Sequence, residues 1–258
     1  QHDDEKQKPQ LGITVHTGYY RVNGDIDGHG IGMGGRIHIP VHYILSMRFN
    51  LMVSQARGLS YQPWYGTNIN SGGLVESIYQ PYQNNPGGWF PSYRFTQATF
   101  EMEGVMDILK IITKTTNIHF DQIGIYVTGG FGVIGKTTDL DLLDQNGLPY
   151  DDLVNRSGSS TSSIETQKGR REILSNLASI YDGTYETNMP YTTKNLTYSY
   201  GAGLLFHFSD QIALGIEHKI IKYPGFYYAD GIRFRTNNTW SGLEDSATYT
   251  NLSVMYKL

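Results

Sequence analysis

Hydrophobic and polar positions alternate along most of this chain with the two-residue period of a β-strand, in which successive side chains point to opposite faces. The clearest stretch is Leu45 to Ser54. Leu45, Met47, Phe49, Leu51 and Val53 fall on one face, and Ser46, Arg48, Asn50, Met52 and Ser54 on the other. The same period recurs in seven further segments, so the pattern predicts eight strands. The first runs from Leu11 to Tyr20. In the second, Gly30 to Ile39, residues Ile31, Met33, Ile37 and Ile39 oppose Gly32, Gly34, Arg36 and His38, and Pro40 ends the ladder because it has no N–H to donate. Leu45 opens the third. The fourth, Tyr93 to Asp107, sets Phe100 and Met102 against Thr99, Glu101 and Glu103. The fifth is His119 to Val133, the sixth Leu196 to Phe208, the seventh Gln211 to Ile221 with Glu217 and Lys219 on its minor face, and the eighth Ser246 to Leu258. One segment departs from this period: Glu165 to Ile180 repeats Ile173, Leu174, Leu177 and Ile180 at helical spacing, which predicts a short amphipathic helix.

The links between these segments differ in length by a rule. Those after strands two and six are very short, and the one after strand four is moderate. Those after strands three, five and seven are long, and only the first hairpin has a short loop on that side. An even number of antiparallel strands with short turns at one end and long loops at the other is the layout of an outer-membrane barrel. In such a barrel the apolar face meets lipid and the polar face lines the lumen, the inverse of a soluble barrel. The minor faces then bring Arg36, Arg48 and Lys219 inside together with Glu101, Glu103 and Glu217. Three cations against three anions is the balance a plugged lumen needs, since buried charge is tolerated only when paired. Tyr19, Tyr198, Tyr200, Tyr223, Tyr249 and Tyr256 fall near strand ends, where interfacial girdles form.

Composition agrees and removes alternatives. Aromatics reach 13% with 20 Tyr, and there are 30 Gly, which suits strands and turns better than helices. A net charge of -4 without a block of Lys and Arg offers no field for nucleic acid. The absence of cysteine excludes disulfides, thiol catalysis and cysteine zinc sites. No run approaches the roughly 18 consecutive apolar residues of a membrane helix. The chain starts at Gln1 with a polar segment, residues 1–10, as expected of a mature secreted chain whose signal peptide has gone. Residues 11–258 show no composition break and are expected to form one barrel domain.

Gln10-Leu11-Gly12 in the first strand, Tyr200-Gly201-Ala202-Gly203 with the Ser209-Asp210 turn and Ile216-Glu217, and above all the terminal Asn251-Leu-Ser-Val-Met-Tyr-Lys-Leu258 carry a resemblance to the eight-stranded outer-membrane barrels of the OmpA type, in the version common in Bacteroidetes. The resemblance implies an all-β, eight-stranded antiparallel transmembrane up-and-down barrel with long extracellular loops, in the outer membrane of a Gram-negative bacterium. It also implies that Leu252, Val254, Tyr256 and Leu258 form the terminal signal read by barrel-assembly machinery. Members of that family often continue into a periplasmic peptidoglycan-binding domain, which these residues do not contain, so a peptidoglycan link is expected only through such a domain.

Other chemistry is weaker. The glycine-rich run at residues 30–35 touches a dinucleotide-loop pattern but lies inside a strand, not between a strand and a helix. Asp139, Asp141 and Asp144, followed by Asn146 and Gly147, suggest a hard cation without the spacing of a calcium loop. His16, His38 and His207 could share the lumen with the glutamates, and Ser54, Ser92, Ser246 and His29 are scattered rim candidates without a compact catalytic motif. No catalytic residues, metal or cofactor are therefore assigned. The aromatic loops carrying Trp64, Tyr65, Tyr223, Phe226, Tyr227 and Tyr228 offer exposed amphipathic rings to a partner, or pack on one another over the barrel mouth. The expected role is non-enzymatic: a structural anchor of the envelope or a subunit of a larger outer-membrane complex, with outer-membrane lipid and other outer-membrane proteins as partners. The rival readings are a small porin with a water-filled lumen and a soluble ligand-binding barrel.

Overall fold

The computed structural model describes residues 11–64, 82, 88–116, 122–186, 189–190, 196–224, 229, 235–236, 239–240 and 244–258. Eight long strands form the framework: β1 (Gly12–Asn23), β2 (Gly28–Pro40), β3 (Leu45–Leu59), β4 (Ser92–Asp107), β5 (Ile123–Leu140), β6 (Leu196–His207), β7 (Ile212–Lys222) and β8 (Ser246–Lys257). Each pairs antiparallel with the next, and β8 returns to β1 with Val254 opposite Val15, so the ring closes without a free edge. Met189–Pro190 adds a two-residue strand to β5, and Arg235–Thr236 pairs with Thr239–Trp240 apart from the ring.

The alternation of residue types maps onto outside and inside. Val15 is 63% exposed, Ile31 62%, Leu51 59%, Phe131 63% and Leu252 62%, whereas Glu101, Glu217 and Lys219 are 0% exposed. Burying charge inside a ring while leaving Ile, Leu, Val and Phe outside is favourable only where the surroundings are apolar. The fold is that of a transmembrane up-and-down β-barrel. Among the described residues no helix is long and apolar enough to cross a membrane.

Three expectations are corrected. The fifth strand extends past Val133 to Leu140, because Thr138, Asp139 and Leu140 continue the ladder opposite Phe95, Arg94 and Tyr93 of β4. Above the apolar belt the outer face meets water, so the apolar period that marks a strand in the sequence stops before the hydrogen-bonded ladder does. The start predicted at His119 falls outside the described residues. A helix beyond the one predicted, α1 (Ile108–Thr116), occupies the link between β4 and β5, with Ile108, Leu109, Ile111 and Ile112 at helical spacing and Leu109 buried. Tyr223 and Tyr249 do not belong to a girdle: both are fully buried and face inward.

At the long-loop end the connection between β5 and β6 contains α2 (Leu153–Ser157), α3 (Thr161–Glu165) and α4 (Gln167–Ile180). Thr166 caps α4 by accepting from the Gly169 N–H at 3.0 Å, and Ile173 and Leu177 on its buried face pack toward the barrel mouth. They join a hydrophobic core with Leu153, Tyr150, Leu142, Trp89 and Tyr82, so this side of the barrel ends in a folded cap.

Candidate functional site

The centre of the lumen is an ion network spanning four strands. Across the β3–β4 ladder Arg48 lies opposite Glu103, and Asn50 opposite Glu101. Arg48 Nε donates to Glu103, and its Nη2 donates to Glu217 Oε2 of β7 at 2.7 Å. Arg36 of β2 reaches the other oxygen of Glu217, also at 2.7 Å. Lys219 Nζ lies between Glu101 at 2.9 Å and Glu103. All six residues are buried, and each charge has at least one opposite partner within hydrogen-bond reach. Charge-assisted bonds of this kind offset the desolvation of the ions, which an isolated charge could not do.

Neutral groups tie the network to the wall. Tyr126 of β5 donates to Glu217 at 2.9 Å, and Asn50 Nδ2 donates to Glu101 at 3.0 Å. His16 bridges Asn50 Oδ1 and the Tyr249 hydroxyl, 2.9 Å from each. Of the three histidines considered from sequence, only His16 takes part. His38 lies opposite Arg48 in the ladder and His207 closes β6 toward the short turns, and neither joins the ion network. Asn50 and Tyr126 were not singled out from sequence as members of the network, and Tyr249 was assigned to a girdle. Their inward phase was legible for Asn50 and Tyr126, but polar neutral residues are common on any minor face.

The wall makes room for these side chains. A Cβ on Gly132 would sit 2.2 Å from Phe100 O and 2.8 Å from Glu101 Cγ, and one on Gly130 would sit 2.7 Å from Glu103 Cγ. The glutamate stems thus lie flat against bare backbone of β5.

Above the ions the lumen becomes aromatic. Tyr20 and Tyr223 share a hydroxyl contact of 2.6 Å, and Tyr223 donates to Gln97 at 2.7 Å. Phe95, Tyr93, Met52 and Ile134 belong to the same buried core. Tyr82 then stacks on Trp89 with ring centroids 5.3 Å apart, and its hydroxyl donates to Leu142 O at 2.6 Å. Of the aromatic loop residues, Trp64 and Tyr223 can be placed, and both are buried. Trp64 is 6% exposed and bridges Trp89 across a backbone pair, and Tyr223 is 0% exposed. Large rings at a narrow mouth gain more from burial against one another than from water. Tyr65, Phe226, Tyr227 and Tyr228 lie outside the described residues.

The acidic candidates separate. Asp139 pairs with Arg94 at 2.8 Å, and Asp144 caps its own turn by accepting from the N–H groups of Asn146 and Leu148. Asp141 instead meets Asp182 and Glu186, with ligand atoms within 4.8 Å of one another. Asp141 already accepts from the Tyr150 hydroxyl at 2.8 Å and the Gly183 N–H at 3.2 Å. Burial pushes its carboxyl up to about 7, despite the Tyr150 bond. Ser54, Ser92 and Ser246 sit on three different strands, and His29 is engaged by Tyr19 on the outer wall. The terminal strand places Leu252, Val254, Tyr256 and Leu258 outward, at 62%, 47%, 45% and 60% exposure.

A closed ring of eight antiparallel strands with apolar residues outside and ions within defines the class: a small transmembrane β-barrel. Solved structures of the same kind align along nearly the whole chain. Neisserial surface protein A covers 96% of this chain and 97% of its own at 7% identity and a TM-score of 0.44. A major outer membrane protein from Thermus thermophilus covers 97% and 100% at 10% identity and 0.43, and the attachment invasion locus protein Ail of Yersinia pestis 97% and 99% at 9% identity and 0.37. No protein-family model matches the chain, and neither does any curated protein.

Proposed function

We propose that the chain is a non-enzymatic barrel of the Gram-negative outer membrane whose closed lumen makes it an anchor: it holds the loop-built cap at the membrane surface, as a structural element of the envelope or as a subunit of a larger outer-membrane assembly. The observation that carries this reading is the filling of the interior from its centre to the long-loop end, ions in the middle and aromatic rings above them. A barrel of eight strands has an interior that side chains can fill, and paired ions with stacked rings fill this one. The long-loop end is the extracellular one in this reading, as in barrels whose short turns face the periplasm. Barrel-assembly machinery is the expected partner of the outward-facing terminal strand, and another outer-membrane protein the expected partner of the cap.

The porin reading draws on the same charges but requires them to line water. Purified protein in planar bilayers tests the choice. A closed lumen gives no steady single-channel conductance, and neutralising Glu103 together with Arg48 opens one; steady conductance of the unaltered protein would overturn the anchor reading.

A further inference from the structure

The outer wall above the apolar belt carries a row of cationic side chains that the lumen network does not use. Cross-strand partners place Arg21 of β1, His29 of β2, Arg57 of β3 and Arg94 of β4 in one line around the barrel. Two residues nearer the short turns, the corresponding row is Tyr19, Ile31, Gln55 and Thr96, and the one below that is Thr17, Met33, Val53 and Ala98. On β3 and β4 the wall turns polar at Gln55 and Thr96, and Arg57 and Arg94 stand one row above that change, at the level of lipid headgroups.

Their charges are unevenly matched. Arg21 pairs with Asp27 at 2.5 Å and Arg94 with Asp139 at 2.8 Å. Arg57 is exposed and makes no ion pair among the described residues, yet it lies directly opposite Arg94. Like charges directly opposite in an antiparallel pair are destabilising, and Asp139 offsets only the Arg94 side of this one. The Tyr185 ring is stacked on the Arg94 guanidinium at 4.5 Å, and both arginines act electrostatically on its hydroxyl. Arg94 is thus fixed by Asp139 on one side and by an aromatic face on the other, while Arg57 presents a free planar fork.

We propose that Arg57 and Arg94 bind the phosphate of an anionic lipid in the leaflet on the long-loop side, with its acyl chains lying along Val53, Leu51 and Phe100. This rests on the membrane-spanning reading above. Arg57 offers a phosphate two parallel N–H donors, and Arg94, whose Nε and Nη2 donate to Asp139 at 3.0 and 2.8 Å, adds its Nη1 edge. Val53, Leu51 and Phe100 are 51%, 59% and 49% exposed on the outward wall below the arginines, in position to meet the chains. A zwitterionic headgroup brings a compensating cation into the same row and is disfavoured there.

Native mass spectrometry of the full chain in neutral detergent tests the site, titrating phosphatidylglycerol and phosphatidylcholine of identical chains. Tighter binding of phosphatidylglycerol is expected, with the preference falling about fivefold in Arg57→Gln, the contribution of one cation near a charged lipid surface. Arg57→Lys, which keeps the charge but loses the fork, is expected to fall between the two. Lys222→Gln, on the far side of the barrel, is expected to leave the preference unchanged. Equal binding of the two lipids, or an Arg57→Gln protein with the original preference, overturns the proposal. So does complete displacement of phosphatidylglycerol by an equal concentration of inorganic phosphate, which would make the site one for free anions. Insertion into phosphatidylcholine vesicles is measured alongside. A protein that inserts but shows no preference refutes the lipid site alone, whereas one that stays soluble without detergent and inserts nowhere refutes the membrane reading beneath it.

Discussion

Arg48 and Glu103 face each other across adjacent strands, joined by a direct ion pair in which both side chains are at most 5% exposed. Arg48 also holds Glu217 from the opposite wall, so one guanidinium spans the lumen. Arg48 is thus shared between two carboxylates, each of which has a second cation: Lys219 for Glu103 and Arg36 for Glu217.

Replacing Arg48 with Met is expected to destabilise the barrel by about 3–5 kcal/mol, because Glu103 and Glu217 remain buried without it. Urea unfolding in detergent micelles measures this. A combined replacement of Arg48 and Glu103 by apolar or amide residues of similar volume leaves Arg36 paired with Glu217 and Lys219 with Glu101, and should recover much of the loss; a double variant no more stable than Arg48→Met would show that packing, not charge, dominates the site.

Gly132 and Gly135 form a matched pair on β5. A Cβ at Gly132 meets backbone and the Glu101 stem, whereas one at Gly135 meets nothing within 4 Å. Gly132→Ala is expected to cost about 1–3 kcal/mol through overpacking. Gly135→Ala is expected to be neutral or slightly stabilising, since it restricts the unfolded chain at no steric cost. Equal unfolding midpoints for the two variants would contradict the position assigned to the Glu101 side chain.

The cap should loosen as pH rises. The Asp141 carboxyl titrates near 7 when folded, above its ordinary value of 3.8. The folded cap therefore holds its proton more tightly than the unfolded one, so this contribution is complete below about 3.8 and is lost as pH climbs through about 7. Asp182 and Glu186 act in the same direction by adding negative charge beside it. Hydrogen exchange of the α4 amides, corrected for intrinsic rates, should show greater protection at pH 5 than at pH 8, and Asp141→Asn should abolish the difference.

Leu177 is fully buried between α4 and the mouth. Leu177→Ala is expected to cost the cap about 2–5 kcal/mol while leaving the barrel intact. Proteolysis within α4, at Arg170 or Arg171, would accelerate, and the protease-resistant barrel fragment would keep its unfolding midpoint. A loss of barrel stability of the same size would mean that cap and barrel fold as one unit.

The strands inside the apolar belt were legible because the solvent changes at every residue: lipid on one side, a polar lumen on the other. Leu45 to Val53 shows this over its whole length. The upper end of β5 was not legible, because Lys136, Thr137, Thr138 and Asp139 stand where both sides of the wall are polar or enclosed by the cap. The acidic cluster was misgrouped for a related reason. Asp139 and Asp141, two apart, would share a face of an extended chain, but the strand ends at Leu140, so Asp139 meets Arg94 on the wall while Asp141 finds Asp182 and Glu186 through the folding of a long loop.

By itself the sequence determined which side of each strand is apolar, how many strands the alternation supports, and that cations and anions on the minor faces balance, since all three follow from a local two-residue period and a count of charges. Only the tertiary structure decided which carboxylate each cation takes, because strand tilt and ring closure bring Glu217 of β7 to Arg36 and Arg48 of β2 and β3 from far along the chain. It also decided that Trp64 and Tyr223 turn inward. An aromatic ring in a loop carries no period, and its side is set by what else is there to bury it against.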